Sequence, residues 1–348
     1  MGDELRVGIV GYGLGGSVFH APLIAAHRRL RLDAVVTANP ERREQVRAEH
    51  PETATVDDVD ALLAREPDLV VVTTPNRTHV EVATAALDAG CPVVVDKPFA
   101  PSAEEGRSLI EHARAKDLLL TVFQNRRWDS DLRTVQKVLE SGDLGEVHRF
   151  ESRIERWSPQ AKPTWRDSGG AEDVAGLLYD LGSHLIDQAR LLFGPVSEVY
   201  AEVDARRAGV RADDDTFVSL THASGVRSHL WMSKVAARSG PRFRVLGSKA
   251  AFTKYGNDPQ EDDLRAGKRP VDDTWGREIE LEWGDLGTAD DVETVATEPG
   301  NYLAFYDGVV KSLTKGAEPP VDPADAVVGL EIIAAAQRSA VNRTVERL

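Results

Sequence analysis

Along the first 124 residues, short apolar runs alternate with longer runs of mixed polarity. Arg6–Val10, Leu32–Thr37, Asp68–Thr73, Pro92–Val95 and Leu118–Phe123 are apolar and rich in β-branched residues, so they read as strands. Between them Val18–His27, Arg42–Glu49, Val59–Arg65, His79–Ala89 and Ala103–Ala115 read as helices, and Gly90 stands where a helix C-terminal glycine belongs. Regular β–α alternation predicts a mostly parallel sheet with helices on both faces.

After Phe123 the pattern changes. A helix is expected over Asp131–Leu139, then strands over Val147–Glu155, Val196–Val203, Thr216–His222, Val226–Trp231 and Phe243–Leu246, with a helix near Leu181–Phe193 among them. These strands alternate in polarity, as an antiparallel sheet with one covered face would. Residues 256–298 read as a polar excursion with at most one strand, and helices near Tyr302–Leu313 and Pro323–Val341 follow. The expected fold class is α/β: a doubly wound parallel sheet over residues 1–123, then an α/β domain with a mostly antiparallel sheet over 124–348.

Composition narrows the class. The chain has 348 residues, 41% hydrophobic and 28% charged, which suits two globular domains. Its net charge of −15 argues against a nucleic-acid or anionic-membrane binder. The single cysteine, Cys91, fits a reducing cytoplasm, and neither a signal peptide nor a membrane span is expected.

The first strand runs into GIVGYGLGGSVFHAP, where Gly11, Gly13 and Gly16 make G-x-G-x-x-G at a strand-to-helix turn, the context that makes this motif informative. It predicts dinucleotide binding, with Gly11 in the tight turn, Gly13 allowing close approach of a pyrophosphate and Gly16 letting helix and strand pack. The second strand ends VVTANPERR, with Thr37 where an NAD site usually carries an acid and Asn39, Arg42 and Arg43 beyond it. A missing carboxylate and an available arginine predict a preference for NADP(H), with NAD(H) possible. Thr74, Pro75 and Asn76 should line the carboxyl edge of the sheet; His79, just after, suits a cap or packing role at least as well as cofactor contact.

VVVDKPFA brings an apolar strand to a halt on Lys97, at that same edge. A lysine beside a nicotinamide could polarise a hydroxyl or carbonyl and share its proton. A proton partner is expected from YDLGSHLIDQ, where Asp180 and His184 are four apart on one helix face and Asp187 lies three beyond. Their alternatives are a helix cap and a core histidine. No metal site is expected, since no cysteine cluster or convincing third ligand is present.

Together with TTPNRTHVEVATAALDAG and VFQNRRWDSD, these segments resemble the glucose–fructose oxidoreductase / inositol dehydrogenase / MocA-like family over nearly the whole chain. KYGNDPQE and TEPGNYLAFYDGV resemble a branch that includes NADP-dependent scyllo-inositol dehydrogenases. The resemblance implies that the first domain is a Rossmann domain and that the second carries an open sheet, with a catalytic set of Lys97, Asp180 and His184. It implies a cofactor site drawn from Gly11, Gly13, Leu14, Gly16, Thr37, Asn39, Arg42, Thr74, Pro75, Asn76, His79, Asp96 and Lys97, with Asp96 replacing the family's usual Glu. It places Asn125, Arg126 and Trp165 near substrate, Trp165 being as readily a core residue. It also implies a homodimer or homotetramer formed through the second sheet. The expected activity is hydride transfer to or from a sugar or cyclitol. A redox-assisted glycosidase or lyase and a non-enzymatic NADP-binding regulator stand as alternatives.

Overall fold

The computed structural model describes residues 4–161, 169 and 174–348. The chain divides into two compact units. The first comprises Met1–Asn125 together with Gln260–Trp275 and Asn301–Val327; the second comprises Arg126–Pro259, Gly276–Gly300 and Val328–Leu348. The boundary expected after Phe123 thus lies two residues before the first crossing, and the chain returns to the first unit twice more. Those returns leave no mark in local periodicity.

The first unit is built on six strands: β1 Leu5–Val10, β2 Leu30–Val36, β3 Ala54–Val56, β4 Leu69–Val72, β5 Val93–Val95 and β6 Leu120–Val122. They lie in the order β3-β2-β1-β4-β5-β6, and every pairing is parallel. All four residues of β4 and all three of β5 are fully buried, as strands covered on both faces must be. The strand order reverses between β1 and β4, where doubly wound sheets open a ligand crevice beyond their carboxyl ends. Strand β3 was not expected. It is three residues long at the sheet edge, too short to show a periodicity.

The helices Pro40–Glu49, Val59–Leu63, His79–Asp88 and Ala103–Ala115 fall within a few residues of expectation. Their N-caps are local: Asn39 accepts from Arg42 N–H, Asp58 from Ala61 N–H, and Ser102 from Glu105 N–H. The first helical run starts at Gly15, earlier than expected, as a π-helical stretch Gly15–His20 that continues into Ala21–Ala26.

The second unit holds a nine-stranded sheet of β7 Val147–Glu155, β8 Val196–Asp204, β9 Asp215–His222, β10 Arg227–Ser233, β11 Phe243–Gly247, β12 Ala251–Lys254, β13 Gly284–Gly287, β14 Val292–Val295 and β15 Glu346–Arg347. The order is β14-β13-β12-β11-β7-β10-β9-β8-β15, antiparallel except where β7 meets β10. In β9, buried Thr216, Val218, Leu220 and His222 alternate with half-buried residues, so one face is covered and the other less so. The less covered face carries Phe217, His229 and Trp231 in ring contact, with the Arg153 guanidinium 3.8 Å from the centre of the Trp231 ring. The polar stretch 256–298 contributes β13 and β14 where at most one strand was expected. Gly-Asp-Leu-Gly takes its conformation from pairing onto β12 and the mostly exposed Val-Glu-Thr-Val from pairing onto β13, not from an apolar pattern.

Candidate functional site

The glycine turn follows β1. Gly11 has φ +100°, and a Cβ on it would lie 2.8 Å from the Thr73 carbonyl oxygen, so only glycine fits. A Cβ on Gly16 would collide with the Gly11 carbonyl. Gly13 differs: a Cβ there would meet only the Arg42 guanidinium, 3.9 Å away. The turn therefore has two glycines required by its own packing and one that keeps a cradle open. Leu14 leads from it into the helical run. These features fit the pyrophosphate of a dinucleotide. Gly13→Val is accordingly expected to melt with the parent, because its side chain has room, and to weaken NADPH binding at least ~10-fold, about 1.4 kcal/mol. Thermal melts and fluorescence titration check both; equal affinity would mean that Gly13 does not face the cofactor.

At the end of β2 the two arginines separate. Arg43 is committed to the fold: its Nε donates to the Thr37 carbonyl at 2.8 Å and its guanidinium pairs with Asp57. Arg42 is exposed and has no ion pair among the described residues. Thr37 is 7% exposed, and its hydroxyl accepts from Asn39 N–H at 3.3 Å. Asn39 is occupied in capping the helix that carries Arg42. The geometry thus leaves Arg42 as the cation available beside the glycine turn.

Beyond β4, Thr74, Pro75 and Asn76 form the next turn, closed by the Thr78 hydroxyl, which donates to the Pro75 carbonyl at 2.8 Å and lies 2.9 Å from the Thr74 hydroxyl. His79 is 1% exposed. Its Nδ1 lies 2.9 Å from the Pro98 carbonyl and its Nε2 2.9 Å from the Thr74 carbonyl. Burial pushes its pKa down, while Asp96 and both carbonyls pull it up. His79 therefore ties the turn after β4 to the turn after β5, which is the packing alternative rather than a surface open to a ligand.

Lys97 lies at the end of β5, in the turn that His79 holds through Pro98. Asp96 accepts the Lys97 N–H at 2.8 Å, and its other oxygen packs so closely on Gly15 that no Cβ would fit there. Burial works against its ionisation, but His20, Lys97 and His79 outweigh burial and hold the carboxyl below its ordinary pKa. His20 and Tyr306 stand behind Asp96, and sequence reasoning missed both. His20 lay inside the quoted glycine run without any signal of its own, and Tyr306 is 286 residues away from it.

In the second unit, Asp180 lies in a π-helical turn, Leu178–Gly182, that runs into the helix Ser183–Phe193 carrying His184. The expected four-residue spacing therefore crosses a π-to-α junction, a backbone feature frequent at functional sites. His184 is 4% exposed. Asp187, expected near His184, is engaged elsewhere: it accepts Arg127 Nε at 2.8 Å and Nη2 at 2.7 Å. Arg126 pairs with Asp129 at 3.3 Å, and its carbonyl accepts from Gln188 at 3.0 Å, one turn beyond His184. Asn125, 5% exposed, opens the short 3-10 helix Asn125–Trp128. Trp165 lies outside the described residues. Among the described residues, no group of three or more His, Cys, Asp or Glu is placed to hold a metal ion, and no helix is long and apolar enough to cross a membrane.

The structure thus gathers the glycine turn, Arg42, Thr74, His79, Asp96 and Lys97 at one sheet edge of the first unit. Asp180 and His184 follow one another on a helix of the second. Comparison with known proteins gives the family. The model of an oxidoreductase-family NAD-binding Rossmann fold matches residues 5–124, and that of the same family's C-terminal alpha/beta domain matches 136–346. Scyllo-inositol 2-dehydrogenase (NADP(+)) IolW of Bacillus subtilis is 36% identical over 343 residues, 97% of this chain and 94% of that protein. An uncharacterised oxidoreductase of Escherichia coli, YdgJ, is 39% identical over 99% of this chain and 98% of its own length. Among solved structures, the putative oxidoreductase yvaA of Bacillus subtilis has a TM-score of 0.93 at 35% identity, covering 99% of each chain. A Rossmann turn shaped for a dinucleotide, matching family models on both halves and full-length relatives place the chain in the glucose–fructose oxidoreductase / inositol dehydrogenase / MocA-like family of NAD(P)-dependent oxidoreductases.

Proposed function

We propose that this chain is an NADP-preferring dehydrogenase or reductase acting on a CH–OH carbon of a cyclitol or sugar. The observation that carries the cofactor half of this reading is the position of the Arg42 guanidinium by Gly13, with Thr37 where an NAD site would carry an acid. The likeness to an NADP-dependent scyllo-inositol dehydrogenase over 97% of the chain supports both halves.

A bound nicotinamide supplies or accepts the hydride. In this reading, Gly11, Gly13 and Gly16 seat the pyrophosphate, and Arg42 pairs with the 2′-phosphate. Lys97 stabilises the developing alkoxide at its Nζ. His184 takes the hydroxyl proton during oxidation and returns it during reduction. Asp180 orients the reacting hydroxyl. The half-exposed cluster of Phe217, His229 and Trp231 supports a homo-oligomer, and buried Cys91 suits a reducing cytoplasm.

The test is a fluorescence titration with NADPH and NADH, followed by nicotinamide absorbance across a panel of inositols and aldoses. Tighter NADPH binding with turnover of one cyclitol or sugar is expected; tighter NADH binding would sink the cofactor assignment. Arg42→Gln should weaken NADPH about 10- to 100-fold, the scale of a lost charge-assisted hydrogen bond, and leave NADH nearly unchanged. Equal loss for both would assign Arg42 to the pyrophosphate instead. Glycoside cleavage without net change in NADPH would replace the dehydrogenase reading.

A further inference from the structure

Behind the Lys97 turn lie two buried groups that the proposed reaction does not use. His20 is fully buried against Phe123, the ring centroids 4.1 Å apart. Its Nδ1 lies 2.6 Å from the Tyr306 hydroxyl, which is also buried. Its Nε2 has no hydrogen-bond partner in the structure and lies 4.0 Å from Asp96 Oδ1. Burial, then the Asp96 charge, push the Tyr306 phenol well above its ordinary pKa, so it keeps its proton. The Tyr306 hydroxyl can donate to Nδ1 or accept from it; with the Asp96 carboxylate facing Nε2, the hydrogen belongs on Nε2 and the hydroxyl then donates to Nδ1. An imidazole accepting at Nδ1 carries its hydrogen on Nε2, the atom that faces the carboxylate.

We infer that Tyr306, His20 and Asp96 form a buried positioning relay for Lys97. Tyr306 occupies Nδ1 of His20, His20 turns Nε2–H toward the Asp96 carboxylate 4.0 Å away, and Asp96 fixes the lysine through its backbone N–H and serves as its counter-charge. The other titratable groups facing Asp96 are Lys97 and His79, at the ends of β5 and of the β4 turn. Both stay in place when His20 is changed. The assignment of a reaction role to Lys97 rests on the functional reading above; the geometry of the relay does not.

Two measurements test it. Long-range proton–nitrogen correlation of histidine-labelled protein, with the His20 signal assigned by its loss in His20→Gln, reads the tautomer without any substrate. A proton on Nε2 is expected near neutral pH; a bare Nε2 overturns the relay. The second compares His20→Gln with His20→Phe, using NADP and scyllo-inositol. Glutamine keeps an N–H directed at Asp96, whereas phenylalanine keeps only the volume and the stack on Phe123. His20→Phe should lose about 10-fold in kcat with little change in KM or NADPH affinity, the scale of a polar contact to a buried charge, and His20→Gln should recover most of it. The reverse ranking would make His20 a packing residue and overturn the proposal. If the parent protein does not turn over scyllo-inositol, the functional reading is what fails, and the tautomer measurement still decides the relay.

Discussion

Lys97→Met is expected to bind NADPH nearly as the parent does and to turn over its substrate at least ~100-fold more slowly, the usual scale for losing a positioned acid–base group. The turn should keep its backbone shape, although Asp96 loses one of the cations that hold it ionised. The strand before the lysine is fully buried valine, and the turn around it is held from outside the side chain, by Asp96 accepting the backbone N–H and by His79 at the Pro98 carbonyl. Methionine keeps the length and apolar stem of lysine and removes only the ammonium. Steady-state kinetics and a fluorescence titration on one preparation check this. Near-parental kcat would end the case for Lys97 in proton transfer. A matched fall in affinity with kcat unchanged would make it a cofactor ligand only.

Arg242→Met should produce the largest loss of stability, about 3–5 kcal/mol, because it strips the cation from a buried acidic cluster. Arg242 is 3% exposed and donates side-chain hydrogen bonds from Nε to Asp131 at 2.9 Å, from Nη1 to Ser152 at 2.7 Å and from Nη2 to Gln188 at 3.2 Å. Asp129 and Asp258 are near, and Ser130 N–H donates to Asp258 at 2.7 Å. Burial already pushes the Asp129 carboxyl well above its ordinary pKa; Arg126 and Arg242 only partly offset it, and Asp258 and Asp131 add to it. A carboxyl whose pKa is raised by folding favours the native state fully below its unfolded value of about 4 and loses that contribution as pH rises through the higher folded value. Removing Arg242 raises the folded value further, so the deficit should grow with rising pH in chemical denaturation. Adding Asp131→Asn should recover a large part, because it removes the stranded charge. A small, pH-independent loss would show that water or another cation already reaches the cluster. The same network joins Gln188, one turn beyond His184, to the Arg126 carbonyl, so the variant should also lower turnover.

Much of the candidate site was legible because the features that mark it are local. A tight strand-to-helix turn needs glycine at particular positions, and Gly11 and Gly16 hold contacts that exclude a Cβ. A strand buried on both faces must be apolar, so Lys97 stands out at the end of Val93–Val95. Arg42 and Arg43, by contrast, look equivalent as neighbours. Only the fold gives Arg43 to Thr37 and Asp57 and leaves Arg42 beside Gly13.

By itself, then, the sequence determined five of the six strands of the parallel half, the glycine turn and the lysine at the sheet edge, since periodicity, chain reversal and burial act over a few residues. The tertiary structure decided the rest. It brought Tyr306 to His20 across 286 residues, returned 260–275 and 301–327 to the first unit, and built β13 and β14 by pairing rather than propensity. It also placed Arg242 among acids 111 residues away. Such contacts are fixed by which surfaces the packed chain brings together, and no window of neighbouring residues records that.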